Sequence, residues 1–417
     1  MAKAESKKWL HIIGVSGKTT ANIAKEFQNM GWFVTGSDNQ FLPPASDILT
    51  QEKINTAEGF SYEHLTRQFW ESDSKYQKPN QVSEEPDLVL FISHLTSKNK
   101  EYLYAKKKGL DIRSYSKILK EYLIKDESIV VIGTAGKTTT TALITFLFQK
   151  LGLNPSYMIG ADVVDIEDSL KITDTIWSVI EGDEYHNPDP AIEGKAKFLE
   201  YKPNYLIITK IGWEHFDIFP TKERYVEEFK KAVELVPADG LIIAKNDDKN
   251  IDNVVKSSKA KVLRYTYSEE PQKGLWTVSP EGDRYIVHDP KGNLILKFQT
   301  ELLGEYNLEN ILAAVIVVCN LPATLLPMEL MQKGTANLKD ISNYISEFHG
   351  VKKRLEHVYK SDNLSIIDDF GIAPERAKNS LETIHERYPD FKIISVFEPN
   401  AGSRPGDREA FMKAYSD

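Results

Sequence analysis

Residues 128–141 read Ser-Ile-Val-Val-Ile-Gly-Thr-Ala-Gly-Lys-Thr-Thr-Thr-Thr. The run Ile129–Ile132, rich in β-branched side chains, predicts a buried strand, and Lys137–Gln149 predicts a helix. The turn between them, Gly133–Gly136, contains only small residues, so its backbone N–H groups can point at phosphate oxygens beside a helix N-terminus. This arrangement predicts a phosphate-binding loop.

Two side chains favour nucleotide binding over a purely structural turn. Lys137 can reach the β- and γ-phosphates of a nucleotide, and the Thr138 hydroxyl can ligate Mg²⁺. The spacer between the two glycines is shorter than in the common pattern. We predict that the loop binds ATP or a similar nucleotide through Gly133, Thr134, Ala135, Gly136, Lys137, Thr138 and Thr139.

Length, charge and cysteine content exclude several classes of protein. The 417 residues predict roughly two to three domains. A net charge of −9 argues against a nucleic-acid partner, and a single cysteine, Cys319, fits a reducing cytosol. Met1–Lys8 has no apolar signal core, and no apolar run is long enough to span a bilayer. We therefore expect a soluble cytoplasmic protein without a membrane partner, either a monomer or a weak dimer.

The first segment, residues 1–123, alternates strands and helices. Trp9–Ile13, Trp32–Gly36 and Leu88–Ile92 are predicted strands, and Thr19–Met30 is a predicted helix. This alternation is typical of a parallel α/β sheet. Residues 61–86, polar and charged, are interpreted as a solvent-exposed insertion.

The first strand-to-helix turn, Gly14–Gly17, is placed where such sheets bind phosphate groups. Asp38, about twenty residues further on, can accept hydrogen bonds from a ribose. The run Gly17-Lys18-Thr19-Thr20 is only a weak indication of a second ATP site. A phosphorylated ligand at this turn is the preferred interpretation, and a structural glycine turn is the alternative.

After a linker at Ile124–Glu127, residues 128–346 form the predicted ATP-binding domain and residues 347–417 a third domain. The third domain is expected to be incomplete, because two strands and one helix cannot cover both faces of a sheet. The predicted elements after the loop helix are strands Ile176–Ile180, Tyr205–Thr209 and Leu241–Ala244, short β elements between 262 and 300, helix Leu308–Val318, strand Ser365–Asp368, helix Pro374–Arg387 and strand Ile393–Phe397.

Acidic and imidazole side chains follow two of these strands. Glu181-Gly182-Asp183-Glu184-Tyr185 follows Ile176–Ile180, and Glu214-His215-Phe216-Asp217 lies shortly after Tyr205–Thr209. The carboxyl ends of parallel strands face the ligand crevice, and carboxylates suit Mg²⁺. A solvated acidic loop and an ordinary polar histidine remain the alternatives.

Together these motifs resemble the Mur ligases of peptidoglycan assembly. Gly133–Thr139 is similar to the Gly-Thr-x-Gly-Lys-Thr-Thr loop of that family, and Glu214–Asp217 to its Asp-His-x-Asp region. Gly304–Ala314 is similar to its Gly-x-His-Asn-x-x-Asn-x-x-Ala-Ala signature, and Val351–Arg354 to its Val-x-x-Arg stretch. Asp369 resembles the aspartate that contacts the ribose.

The resemblance implies a three-domain α/β architecture, with Rossmann-like N- and C-terminal domains around a P-loop ATPase domain. It implies an ATP- and Mg²⁺-dependent ligase that joins an amino acid or peptide to the lactyl carboxylate of UDP-N-acetylmuramate through an acyl phosphate. The implied catalytic residues are Lys137, Glu181, His215 and Arg354, and the implied metal ligands are Thr138, Glu181 and His215. Asn307, Asn310, Arg354 and Asp369 are implied to contact the nucleotide, and Gly14, Ser16, Gly17, Ser37, Asp38 and Ser93 the UDP-sugar. Arg404 is a candidate to pair with the carboxylates of a peptide substrate, and a solvated loop arginine is the alternative.

Two kinds of family member share this type of N-terminal segment: ligases for L-alanine and ligases for the tripeptide L-alanyl-γ-D-glutamyl-meso-diaminopimelate, used in murein recycling. Pro43–Ser46, Glu181–Tyr185 and Phe397–Pro399 favour the tripeptide. Several other members of the family have a carbamylated lysine at the position of Phe229. The L-alanine and tripeptide ligases lack that lysine, so Phe229 fits this subgroup. Ile372-Ala373 replaces the usual His-His. A nucleotide- and UDP-sugar-binding protein without ligase activity therefore remains an alternative, as do the folate-polyglutamate ligases.

Overall fold

The computed structural model describes residues 6–92, 98–186, 194–215, 218–325, 338–370 and 374–398, with 409, 412 and 413. Its described residues form two mainly parallel sheets accompanied by helices and one two-stranded hairpin, so the predicted α/β class is confirmed. In the described part of the chain, no helix is both long and apolar enough to cross a membrane.

The first sheet has five parallel strands in the order β3-β2-β1-β4-β5. The central strand β1 is wholly buried, as expected for a strand covered on both faces. Since β2 and β4 lie on opposite sides of β1, the ends of β1 and β4 open a ligand crevice. The elements are β1 Trp9–Ile13, α1 Lys18–Asn29, β2 Phe33–Asp38, α2 Ala45–Gln51, β3 Asn55–Glu58, α3 Arg67–Ser72, β4 Leu88–Phe91, α4 Lys100–Lys108, β5 Ile112–Ser114 and α5 Tyr115–Ile118.

Residues 61–86 are largely solvent-exposed, as predicted, but they also contribute several buried side chains. Trp70 is fully buried, and its indole N–H donates to the carbonyl of His64 at 2.8 Å. The Trp70 ring packs against Phe69 and Tyr76, with ring centroids 4.9 and 4.8 Å apart. These aromatic rings give the segment a small core of its own, which its many charged residues conceal in the sequence.

A buried carboxylate ties this segment to the sheet. Glu101, in α4, accepts hydrogen bonds from the Ser37 hydroxyl at 2.5 Å and from His64 Nδ1 at 2.6 Å, and it has no exposed surface. His11 Nε2, on β1, lies 3.5 Å from the same carboxylate. Burial raises the pKa of Glu101, but hydrogen bonds from the two histidines and Ser37 outweigh burial and lower the pKa to about 2.

The second sheet has ten strands in the order β15-β14-β13-β12-β11-β10-β6-β9-β7-β8. Its middle is parallel, whereas β8, β14 and β15 are antiparallel to their neighbours. Helix α9 is buried from Asn307 to Val318, as expected for a helix that is apolar on nearly all sides. The elements are β6 Glu127–Ile132, α6 Lys137–Lys150, β7 Ser156–Met158, β8 Leu170–Lys171, β9 Trp177–Glu181, β10 Tyr205–Ile208, α7 Lys222–Leu235, β11 Leu241–Lys245, α8 Lys249–Val254, β12 Lys261–Tyr267, β13 Trp276–Glu281, β14 Arg284–His288, β15 Leu294–Phe298, α9 Glu305–Cys319 and α10 Leu338–Ser346.

The last part of the chain contains a hairpin, β16 Glu356–Lys360 with β17 Ser365–Asp368, and helix α11 Pro374–Arg387. The predicted strand Ile393–Phe397 is wrong, because residues 392–398 have no regular secondary structure. Ile394 and Val396 are 78% and 95% exposed. An extended apolar run becomes a strand only when a neighbouring strand pairs with its backbone, and no described strand does so here.

We predict that Glu101→Gln lowers the free energy of unfolding at neutral pH by about 1–3 kcal/mol, because it weakens the hydrogen bonds to a buried carboxylate. The pKa of Glu101 is lower in the folded protein than its ordinary value of 4.5. Its stabilising contribution is therefore complete above that value and is lost as the pH falls toward 2. The measurement is urea unfolding, followed by circular dichroism, between about pH 6 and about pH 3.

The difference between the wild type and Glu101→Gln should shrink across this range. Glu84→Gln is the control, because the Glu84 side chain is 85% exposed. A difference that stays constant with pH would contradict the prediction.

Candidate functional site

The phosphate-binding loop lies between β6 and α6, as the sequence predicts. Gly133 and Gly136 have φ values of 140° and 85°, which glycine adopts far more readily than other residues. A Cβ on Gly136 would lie 2.6 Å from Asn310 Oδ1, and one on Gly133 would lie 2.9 Å from the backbone nitrogen of Lys210. The close packing of this loop therefore requires both glycines.

Lys137 is held by two oxygen acceptors. Its Nζ lies 2.5 Å from the Gly133 carbonyl oxygen and 2.8 Å from Glu184 Oε2. The other Glu184 oxygen lies 3.2 Å from His215 Nε2. Burial raises the pKa of Glu184, but the Lys137 charge and hydrogen bonds from His215 and Lys137 lower the pKa to about 2. The hydrogen bond to Glu184 in turn raises the pKa of His215.

Thr138 and Glu181, two predicted metal ligands, lie side by side. The Thr138 hydroxyl donates to Glu181 Oε1 at 2.9 Å, and the Gly160 backbone N–H donates to Oε2 at 2.7 Å. Burial raises the pKa of Glu181. The Lys137 charge and these two hydrogen bonds act in the opposite direction but do not outweigh burial. A Cβ on Gly160 would lie 2.7 Å from Oε2, so the absence of a side chain lets the backbone approach the carboxylate.

His215 groups with two carboxylates that the sequence analysis did not select. Ligand atoms of Glu184, Glu214 and His215 all lie within 4.8 Å of one another. Carboxylate oxygens and imidazole nitrogen can ligate a divalent cation, so these residues fit the predicted Mg²⁺. His215 has a φ of 55°, a strained conformation for a residue with a side chain and one that is common at functional sites. The sequence positions of carboxylates in an acidic loop do not show which of them point into the site, so Glu184 and Glu214 could not be selected from the sequence.

A cavity of about 420 Å³ extends from the loop to the third segment of the chain. Its volume is in the range of small-molecule sites. The structure brings to this one cavity many of the residues that the sequence predicts for nucleotide and metal binding. They are Thr134, Ala135, Gly136, Lys137, Thr138, Thr139, Glu181, Asn307, Asn310, Arg354 and Asp369.

Side-chain hydrogen bonds hold several of the residues that line this cavity. Asn310 Nδ2 donates to Asn307 Oδ1 at 3.1 Å, and the Thr140 hydroxyl donates to Asn310 Oδ1 at 3.1 Å, which ties α9 to α6. Asp369 accepts a hydrogen bond from the backbone N–H of Leu355 at 3.1 Å. The turn that carries Arg354 is therefore anchored by a residue that lines the same cavity.

The predicted residues of the N-terminal sheet lie at the ends of β1 and β2. The Ser16 backbone N–H donates to Asp38 Oδ2 at 3.0 Å, which braces the turn Gly14–Gly17. The Ser37 side chain is buried and donates to Glu101, so it faces the interior rather than the crevice. Several residues of the sequence analysis lie outside the described residues: Ser93, Phe216, Asp217, Ile372, Ala373 and Arg404.

A parallel sheet with a phosphate-binding loop, and with carboxylates at neighbouring strand ends, defines a nucleotide-binding α/β protein of the P-loop class. Residues 131–318 match the family model described as the Mur ligase middle domain. This segment is therefore similar to a Mur ligase middle domain, and the relatives that match the chain are Mur ligases, which are ATP-dependent, ADP-forming amide ligases.

Relatives match nearly the whole chain. It is 25% identical over 408 residues to a UDP-N-acetylmuramate–L-alanine ligase of Caldanaerobacter subterraneus subsp. tengcongensis, with 96% of this chain and 78% of the relative covered. It is 24% identical to a UDP-N-acetylmuramate–L-alanyl-γ-D-glutamyl-meso-2,6-diaminoheptandioate ligase of Haemophilus influenzae, with 95% and 80% covered. The solved UDP-N-acetylmuramate–alanine ligase of Thermotoga maritima has a TM-score of 0.71 at 22% identity, with 99% and 83% covered, which shows a shared fold.

We predict that Glu184→Gln weakens Mg²⁺ dependence and lowers kcat by about 10²-fold, because it removes the charge that holds Lys137 and His215. Steady-state rates measured against Mg²⁺ concentration test this. Asp183→Asn is the matched control in the same loop, because its carboxylate instead pairs with Lys197 at 2.7 Å. Equal effects of the two substitutions would show that the loop acts only through its overall charge.

Proposed function

We propose that this protein joins the amino group of an amino acid or peptide to the lactyl carboxylate of UDP-N-acetylmuramate, with hydrolysis of ATP to ADP and phosphate. The observation that carries the proposal is the single cavity shared by the phosphate-binding loop, Glu181, Arg354 and Asp369. Relatives of both substrate types match the chain over 95% or more of its length. Their names state that they act on UDP-N-acetylmuramate.

We further propose that each part of the chain binds one substrate. Residues 1–123 would bind the UDP-sugar at the turn Gly14–Gly17, which Asp38 braces through the Ser16 N–H. Residues 128–346 would bind ATP at the loop, and residues 347–417 would supply Arg354 and the amine site. The second site for phosphate groups is supported by the glycine turn at the end of a central parallel strand.

The reaction would begin with transfer of the γ-phosphoryl group to a carboxylate oxygen of the lactyl group, which breaks its bond to ADP. The amine nitrogen then attacks the carbonyl carbon of this acyl phosphate, and phosphate leaves while the nitrogen loses a proton. In the first step negative charge is spread over the oxygens of the transferred group and its neighbours, so fixed positive charges stabilise it. Lys137, fixed between Gly133 and Glu184, supplies a positioned positive charge, and Arg354, which lines the same cavity, would supply another.

Two sets of side chains would hold Mg²⁺. One is Thr138 with Glu181, and the other is the cluster of Glu184, Glu214 and His215. Bound there, Mg²⁺ would neutralise phosphate charge and orient the phosphate groups. The chain's own contribution is to fix these ligands through the Gly160 N–H and the Lys137 ammonium.

For the amine we propose the tripeptide L-alanyl-γ-D-glutamyl-meso-diaminopimelate, on the sequence resemblance of Pro43–Ser46 and Glu181–Tyr185. Its several carboxylates require cationic partners, and Arg404 is our candidate. A cytoplasmic location is also proposed, because a reaction that consumes ATP and a chain with one cysteine fit that compartment.

We predict that Lys137→Ala abolishes turnover, because the transferred phosphoryl group loses its positioned positive charge. Binding of UDP-N-acetylmuramate should stay nearly unchanged, since its proposed site lies on the other sheet. The measurements are release of ADP and phosphate, with and without the sugar nucleotide and the amine, and calorimetric titration of the sugar nucleotide. Wild-type ATP hydrolysis that ignores the sugar nucleotide would overturn the ligase proposal. Binding of both ligands without turnover would favour the non-ligase alternative.

We predict a higher kcat/KM for the tripeptide than for L-alanine when both compete in one assay. Arg404→Ala should raise the KM for the tripeptide by about tenfold or more, because a charge-assisted hydrogen bond is lost. Arg284→Ala is the control, because Arg284 lies on β14, in the second sheet. A preference for free alanine would contradict the tripeptide proposal and favour an L-alanine ligase. Arg404 would then not have the proposed role.

A further inference from the structure

The hairpin that β7 and β8 form at the edge of the second sheet contacts three parts of the proposed machinery. Strands β7 and β8 pair through Tyr157 with Lys171 and Met158 with Leu170. The connecting residues 159–169, which we call the coupling hairpin, are closed by a hydrogen bond from Ile159 N–H to the Ser169 carbonyl at 2.8 Å. This hairpin therefore has a defined base.

The coupling hairpin contacts the N-terminal sheet beside its phosphate-binding turn. Lys18 follows Gly17 and is the first residue of α1. Its Nζ lies 2.6 Å from Asp162 Oδ1. The motif Gly17-Lys18-Thr19-Thr20 is therefore not built like the loop at 133–139. Lys18 instead contacts the Asp162 carboxylate of the coupling hairpin, and the Thr20 hydroxyl donates a hydrogen bond to the Gly14 carbonyl at 2.9 Å.

The coupling hairpin also contacts the proposed metal site. Two residues before Asp162, the Gly160 N–H donates to Glu181 Oε2 at 2.7 Å, while Thr138 holds the other oxygen of that carboxylate. A shift of the Asp162 backbone therefore alters the position of one of the two hydrogen bonds that orient Glu181.

A third contact leads to Arg354. The Lys352 N–H donates to the Asp162 carbonyl at 2.8 Å, and the Val164 N–H donates to the Gly350 carbonyl at 3.0 Å. These bonds fix the chain immediately before Arg354. Asp162 is thus bound to α1 by its side chain and to the Arg354 segment by its main chain.

We propose that the Lys18–Asp162 ion pair is a positioning contact that transmits occupancy of the N-terminal turn to the nucleotide site. A partly exposed ion pair contributes little to stability, and these side chains are 28% and 45% exposed. The pair acts by positioning Asp162. An anionic ligand at the turn 14–17 competes with Asp162 for the Lys18 ammonium. The inference rests on the proposed function, and it adds the route by which the two substrates sense each other.

The test is the affinity of the full-length protein for the Mg²⁺ complex of a non-hydrolysable ATP analogue, measured by calorimetry with and without saturating UDP-N-acetylmuramate. In the wild type we expect the two dissociation constants to differ by about fivefold or more, the usual size of coupling between sites. Lys18→Met and Asp162→Asn should each bring this ratio close to one, and the double variant should do no more.

The matched control is a second ion pair between α1 and the same hairpin, Lys25 with Asp168 at 3.0 Å. Lys25→Met and Asp168→Asn should lower the melting temperature but keep the ratio. A wild-type ratio of one, or an unchanged ratio in Lys18→Met and Asp162→Asn, overturns the inference and leaves the proposed function standing. Failure of the wild type to bind either ligand overturns the proposed function and the inference with it.

Discussion

The site depends on one ammonium group that two oxygen acceptors share. Lys137 is bound by the Gly133 carbonyl of its own loop and by buried Glu184. A buried carboxylate without a cation would be costly, and a buried lysine without an anion would lose its proton more readily. Lys137 therefore favours the charged form of Glu184, and His215 is drawn to the same carboxylate. A nucleotide that enters the cavity meets charges that are already fixed in place, which lowers the cost of reorganisation.

The sequence predicted the parts of this arrangement that depend on local rules. A loop of small residues before Lys137 needs only a strand, two glycines and a helix, which are adjacent in the chain. The loops that carry Glu181 and His215 were selected because strand ends in a parallel sheet meet at one edge, and the resemblance to the family singled out these two residues within them. Glu184 was missed because the choice among neighbouring carboxylates depends on which of them reaches Lys137, a contact across 47 positions.

The errors concern elements that depend on distant partners. Residues 61–86 looked polar, yet Trp70 and His64 are buried because Glu101 and β1 supply their environment. The run Ile393–Phe397 has the composition of a strand, but pairing with another strand decides whether such a run becomes one. Hairpin strand β16 was overlooked, since Glu356–Lys360 is partly charged and its register with β17 contains an irregularity. The amino-acid composition of a segment does not reveal these contacts with residues distant in the sequence.

The buried cluster around Glu101 gives the N-terminal sheet an optical property. The Trp70 ring lies 6.2 Å from His64 and 6.4 Å from His11, centroid to centroid. A histidine ring at such short range quenches indole emission to an extent that depends on its distance from the indole. The brightness of Trp70, one of the six tryptophans of the chain, therefore reports how closely these two histidines pack against it. Stopped-flow fluorescence could use it, without any added dye, to follow movements of this buried cluster in real time.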